Sequence, residues 1–351
     1  MTITTQGENR GTLRHLMTAA TLSVAAAFGS SAHAEAEFKL RWAHYLPNSD
    51  FLEIEKDFAE AIEARTDGRV EIEIVYAGGL GKANEILTLT GRGAVDMASG
   101  IPGFYADQLL FWKAYQLPFV FSSTAQAVEV SNASYEALPY FADELERMNL
   151  QFLMHQPLGS YYMTGKNASC NTVEGLDGQK IRSFGADVPR AHSAVGGVPV
   201  TVGTTDIYEA LERGTLDYSF LSRGVIASNR WYEVAKFNCG PVMSIAGHII
   251  VMGTRTWDKL PEDIQEVILE VAAETQPEYI NWSNAYEVAA MGRIEEGGGR
   301  FSEIPSDEMA KWKTAAPDFL EEWVNEMSER GLGEEARSVS DFWQTKIAAD
   351  Q

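Results

Sequence analysis

Residues Leu176 to Arg182 read LDGQKIR. A turn at Gly178 feeds a short strand, and the strand ends in Arg182, followed by Ser183, Phe184 and Gly185. A guanidinium is always charged, and its planar fork meets a carboxylate in two parallel hydrogen bonds. Arg182 therefore reads as the group that holds the anionic end of a small ligand; the plain alternative is a surface arginine in a salt bridge. Catalytic chemistry finds no comparable foothold. The chain has no G-x-S-x-G, H-E-x-x-H or C-x-x-C. Gly79 to Lys82 resembles a phosphate loop only in part, because Tyr76 stands where the first glycine is required and Ala83 replaces Ser or Thr. His155, His192 and His248 have no metal-ligand spacing and read as structural. The sequence thus points to a binder and not an enzyme, with no cofactor and no metal.

Composition narrows the partner. Fifty acidic residues against 28 basic ones leave a formal charge of −22. Such a surface repels phosphate backbones, so no nucleic acid is expected, and an anion site must be local and enclosed. Residues 1–34 read as a secretory signal. Arg10 and Arg14 are basic, Leu16 to Phe28 is apolar, and Ala32-His33-Ala34 is an A-x-A site, which predicts cleavage near Ala34 and a periplasmic chain. No other run is long and apolar enough to span a membrane, so the chain is not expected to be membrane-inserted. Cys170 and Cys239 are either a disulfide or two isolated thiols; an oxidising compartment permits both.

The remaining chain is long enough for two lobes. Phe38 to His44 reads as a strand, Phe51 to Ile62 as a helix, Val70 to Tyr76 as a strand, Asn84 to about Gly91 as a helix and Val95 to Ser99 as a strand, the order of an α/β lobe. Glu85 to Asp96 (EILTLTGRGAVD) resembles Asp206 to Asp217 (DIYEALERGTLD), as if one element were used once in each lobe. Ligands sit beyond the carboxyl ends of the strands in such sheets. Gly100 to Tyr105 and Phe220 to Arg223 are then expected to face each other across a cleft. Ala125 to Met148 reads as one helix, Gln151 to His155 and Tyr161 to Thr164 as strands, and Pro261 onward as mostly helical. Pro277 is expected to kink or divide that region, and a further helix to run from about Ser306 to Arg330.

Seven pieces in this order resemble one family: the strand with HYLPNS, then TDGRVEIEIVYAGGLG, GRGAVDM, LPFVF, LDGQKIR, TDIYEALERGTLD and LPEDIQEVI. The chain resembles the solute-binding proteins of tripartite ATP-independent periplasmic (TRAP) transporters, the dicarboxylate-binding DctP type. The resemblance implies a two-lobed α/β Venus-flytrap fold with crossing strands and a long lobe-spanning helix. Lobe 1 is expected at 35–158 plus 246–286, and lobe 2 at 159–245 plus 287–351. It also implies that Arg182 holds a ligand carboxylate and that the partners are a small organic anion and the membrane permease subunits. A sensor that presents ligand to a membrane receptor is the alternative use of the same fold. Many relatives carry a second arginine where Tyr161 stands, an asparagine where Leu221 stands and, among sugar-acid binders, a glutamate near Ile101. These departures remove polar groups that a dicarboxylate or sugar acid needs, because buried polar groups left unpaired are costly. The implied ligand is a monocarboxylate with an apolar or aromatic body, with a dicarboxylate as the alternative if Arg223 supplies the missing charge. Tyr161 is expected beside Arg182, one of His44 and Tyr45 at the cleft, Phe104 and Phe184 stacked on a flat ligand, and Leu221 against its apolar part.

Overall fold

The computed structural model describes residues 35–350; the expected signal segment lies outside the described residues. The first half of the chain runs β1 (Phe38–His44), α1 (Glu53–Arg65), β2 (Val70–Val75), α2 (Ile86–Gly91), β3 (Met97–Gly100), α3 (Thr124–Ala137), α4 (Pro139–Arg147), β4 (Leu150–Gln156), β5 (Tyr161–Gly165), β6 (Lys180–Ser183) and α5 (Asp187–Ser193). It continues β7 (Val198–Thr201), α6 (Ile207–Arg213), β8 (Tyr218–Ser222), α7 (Arg223–Ser228), β9 (Phe237–Met243), β10 (His248–Gly253), α8 (Thr254–Trp257), α9 (Glu262–Glu296), β11 (Arg300–Ser302), α10 (Ser306–Ala315), α11 (Phe319–Glu329) and α12 (Gly333–Ala349).

Two sheets organise two lobes. The first has the order β2-β1-β3-β10-β4, the second β11-β9-β5-β8-β6-β7. The chain crosses between them after β4 and again after β9, so β5 and β10 run antiparallel within sheets whose ligand-facing strands are parallel. The internal resemblance has a structural counterpart. Asp96 and Asp217 each precede a strand, β3 or β8, and each brackets the neighbouring parallel strand. The Asp96 carboxylate accepts the Arg41 N–H at 2.9 Å, and the Asp217 carboxylate accepts the Lys180 N–H at 2.7 Å. The glycines just upstream, Gly93 and Gly214, take φ of 74° and 72°, a left-handed turn that L side chains rarely adopt.

Helix α9 is the third connection. Its first half packs Ile264, Ile268, Val271 and Tyr279 into the core of the first lobe. Its second half packs Tyr286, Ala290 and Ile294 into the larger core that extends through the second lobe. Pro277 does not divide it: the helix is continuous over 35 residues. A proline inside a helix costs roughly 3 kcal/mol, and tertiary anchoring beside it offsets this. The Gln276 side chain both accepts the His155 N–H (2.7 Å) and donates to the His155 carbonyl (3.2 Å), tying the helix to β4.

Other helices differ from the periodicity. The expected helix over 125–148 is two, broken at Leu138, whose extended backbone is what a residue before proline prefers. The expected helix over 306–330 breaks before Phe319, past Pro317, into α10 and α11, and α12 follows it. Trp312 of α10 donates to the Ala191 carbonyl in the second lobe, whereas Trp343 of α12 stacks on Tyr115 and donates to Ser134. The C-terminal helices, expected with the second lobe, thus also brace the first. A disulfide joins Cys170 and Cys239, with Cα atoms 5.7 Å apart, and resolves the alternative left open by spacing.

Burial also sets the acid response. His155 and His192 are pushed down to about 3 and His248 well below its usual value, all by desolvation of the charged form. The unfolded chain therefore binds more protons than the native one below about pH 6.5, and stability is lost as pH falls. Glu144 and Glu287, raised to about 7 by burial, act in the opposite sense as pH rises from about 4.5 to 7. The terms oppose each other between these limits, and the histidines act alone below. The expected outcome is a melting temperature that changes little from pH 7 to about 5 and falls steeply below about 4.5. Glu144→Gln removes an opposing term and should start the loss nearer pH 6.5, as thermal unfolding across pH would record.

Candidate functional site

The parallel strands of each lobe end at one shared place. β1 and β3 finish side by side, His44 opposite Ser99, and the next residues are Tyr45, Leu46 and Ile101. In the second lobe β6 ends at Ser183 and β8 at Ser222. Between these ends lies a small, nearly closed cavity, lined from the first lobe by Tyr45, Leu46 and Ile101 and from the second by Tyr161, Arg182, Phe184, Thr204, Leu221 and Val225. Leu158, on the crossing segment, completes it. The lobes are closed over it: Arg182 is 6% exposed and Tyr161 3%.

Arg182 is the electrostatic centre. Its Nε donates to the Val202 carbonyl at 3.3 Å and its Nη1 to the Phe220 carbonyl at 3.4 Å, both long. Its guanidinium lies over the Phe184 ring, 5.0 Å from the centroid. Among the described residues no carboxylate forms an ion pair with it. Burial accordingly lowers its proton affinity, and Tyr161 and Tyr45 offset only part of that effect. The Tyr161 hydroxyl is pushed up by burial and pulled partly back by Arg182, so the two groups sit in each other's field. Tyr45 feels the same guanidinium from the opposite lobe. Tyr161, Phe184 and Phe220 form an aromatic floor, with ring centroids 5.8 and 5.2 Å apart for the two contacts of Tyr161.

Of the residues singled out by sequence, Arg182, Tyr161, Tyr45, Ile101, Phe184 and Leu221 meet around this cavity. Three stand outside its lining. His44 turns inward: its Nδ1 accepts the Leu46 N–H at 3.0 Å and its Nε2 lies 3.4 Å from the buried Glu55 carboxylate. It shapes the turn that carries Tyr45 and Leu46. Phe104 packs against the larger hydrophobic core that extends through the second lobe. Arg223 does not replace the absent second charge, because its Nε donates to Glu287 at 3.3 Å and its guanidinium covers Tyr162. Glu287, on α9, also accepts the N–H groups of Arg223 (3.1 Å) and Gly224 (2.7 Å), which pins the first turn of α7 to the long helix. A Cβ at Gly224 would stand 2.8 Å from the Glu287 Oε1, so the close approach needs glycine.

Sequence reasoning did not find Leu46, Leu158, Thr204 and Val225. Leu46 and Val225 follow directly from residues already suspected; Leu158 and Thr204 carry no signal of chemistry. His248, read as structural, bonds the cavity residue Tyr45 at 2.6 Å. No group of three or more His, Cys, Asp or Glu able to hold a metal occurs among the described residues.

A two-lobed shell closed over one buried cationic anchor defines a solute receptor. The comparisons agree. The family model described as bacterial extracellular solute-binding protein, family 7 (DctP), matches residues 43–326, and the chain belongs to that family. It is a TRAP solute-binding protein. The C4-dicarboxylate-binding periplasmic protein DctP of Rhodobacter capsulatus is 25% identical over 78% of this chain and 81% of its own length. A Bordetella pertussis extracytoplasmic solute receptor binding pyroglutamic acid superposes with a TM-score of 0.79 at 16% identity, over 87% of this chain and 99% of that one. A TRAP solute-binding protein of Rhodoferax ferrireducens in complex with copurified benzoate gives 0.78 at 21% identity, over 89% and 98%.

The placement of Arg223 makes a separable prediction. Arg223→Ala should lower the melting temperature by a few degrees, for a loss of about 1–3 kcal/mol of charge-assisted bonding to Glu287. Ligand affinity, read by calorimetry, should change by less than about threefold, or under ~0.7 kcal/mol.

Proposed function

We propose that this chain captures a small monocarboxylate with an apolar or aromatic body between its lobes and delivers it to a TRAP membrane permease. The observation that carries the reading is Arg182, buried to 6% exposure with two long bonds to carbonyls and no ion-pair partner among the described residues. A buried ion left without a counter-charge is unfavourable. A ligand carboxylate supplies that counter-charge, with the Tyr161 hydroxyl as a second donor. Leu46, Ile101, Leu158, Phe184, Leu221 and Val225 favour a mostly apolar body over a polyhydroxylated one. A second carboxylate would find no free cation in the lining, since Arg223 is held by Glu287. Receptors of like fold hold benzoate or pyroglutamic acid, and others hold glucuronate or galacturonate, so the choice among these rests on the apolar lining.

Ligand that touches both lobes favours the closed arrangement, and the two crossing segments with α9 are the elements about which the lobes move. Closure excludes water and strengthens the anchoring pair. The protein works in the periplasm after loss of its leader.

The test is thermal unfolding against a panel of organic acids. A ligand at 100 times its dissociation constant should add about 2.7 kcal/mol, a shift of several degrees. Arg182→Ala should lose about 3–5 kcal/mol of binding, on the order of a thousandfold in affinity. Its ligand-free melting temperature should be at least that of the native protein, because an uncompensated charge has gone. Retained binding in the variant, or a larger shift with dicarboxylates, would overturn the reading.

A further inference from the structure

Behind the first-lobe wall of the cavity, five polar side chains stand in line. Glu55, on α1, is fully buried and acceptor-only as a carboxylate, and the Tyr279 hydroxyl donates to its Oε1 at 3.3 Å. Ser99 and His44 also lie against this carboxylate, at 3.5 and 3.4 Å. With its proton spent on Glu55, the Tyr279 oxygen has only lone pairs left to offer. The Gln156 side chain lies near that hydroxyl, and its buried amide nitrogen has no hydrogen-bond partner among the described residues. The nitrogen end of Gln156 is therefore the end that faces Tyr279, and its oxygen faces His248 Nδ1, with which it is paired. An amide oxygen only accepts, so Nδ1 carries the imidazole proton. His248 is fully buried, next to His44, where a second ring proton is strongly disfavoured. Its Nε2 is then bare and must accept, and the group it faces at 2.6 Å is the Tyr45 hydroxyl.

We infer that the bonds from Tyr45 to His248 and from His248 to Gln156, with Tyr279 and Glu55 behind them, turn the Tyr45 proton away from the cavity and make its oxygen a hydrogen-bond acceptor at the ligand wall. The inference rests on the reading of Arg182 as a carboxylate anchor and refines the ligand it implies. Arg182 and Tyr161 supply donors to the carboxylate from the second lobe, whereas Tyr45 asks for a donor from the ligand body. The favoured ligand is a monocarboxylate with a hydroxyl or N–H close to its carboxylate. A carbonyl at the same position sets lone pair against lone pair. Tyr45 is the specificity-determining residue; His248, Gln156, Tyr279 and Glu55 act through it as positioning residues.

Two measurements test this on the full-length mature protein. The first is ¹⁵N NMR of the histidines, with and without mandelate. His248 should show its proton on Nδ1 and a bare Nε2; a proton on Nε2 overturns the inference. The second compares the affinities of mandelate (both enantiomers), phenylacetate and phenylglyoxylate, which carry a hydroxyl, no polar group and a carbonyl next to the carboxylate. One enantiomer of mandelate should bind about tenfold or more tighter than phenylglyoxylate, the scale of one unsatisfied buried acceptor. In Tyr45→Phe the difference should shrink to within about threefold, whatever the change in absolute affinity. Equal binding of the three acids by the native protein, or a preference for the carbonyl, overturns this inference alone. If none of the three binds, the anchor reading of Arg182 fails for this ligand class, and the specificity inference falls with it.

Discussion

A guanidinium enclosed between two lobes with no counter-ion of its own is the constraint on which this structure turns. The chain has 50 acidic residues, yet none of those described forms an ion pair with Arg182. Two backbone carbonyls satisfy it only in part, so burying the charge carries a cost. The strongly negative outer surface repels anions, so any attraction for one is confined to this enclosed charge.

The surrounding architecture serves to hold the anchor at a shared edge. Each lobe presents the carboxyl ends of two parallel strands, and in each an aspartate bonded to the neighbouring strand sets the register. The second-lobe wall continues into α7, whose first turn is held by Glu287 of α9. The long helix thus reaches within one turn of a cavity residue, Val225, while its other half is fastened to β4 through Gln276. Movement of one lobe against the other has to pass through these ties and the two crossing segments. The first-lobe wall is held differently, by buried polar contacts: His248 bonds both Tyr45 and Gln156, and Tyr279 donates to Glu55.

Much of the fold was legible in local pattern. Alternation marked β1 and β2, the Gly93 and Gly214 stops marked the paired helix–strand elements, and LDGQKIR placed an arginine at a strand end. The order of these pieces pointed to the family. The helical boundaries were less legible, and for a consistent reason. Pro139 opens α4 at its first turn, where its missing N–H costs no helical bond, and Pro317 follows the extended Ala316 that ends α10, whereas Pro277 lies inside a helix tied to β4 through Gln276. The same residue type reads oppositely according to tertiary contacts that periodicity does not contain.

The candidate site divides along the same line. Arg182, Tyr161 and Leu221 stood out because their chemistry, or its absence, is a property of residue type at a marked position. The sequence determined that a permanent cation and an aromatic, mostly apolar surround would be available, and that the outer surface would repel anions. Tertiary structure decided which charges are free. Arg223 differs from Arg182 not in chemistry but in having Glu287, 64 residues away, within reach. It also decided that His44 faces Glu55 and not the cavity, and that His248 stands behind Tyr45. Those outcomes depend on pairings over 11 to 203 residues of chain, and a hydrogen bond or ion pair is set by distance in space, which residue order alone does not specify.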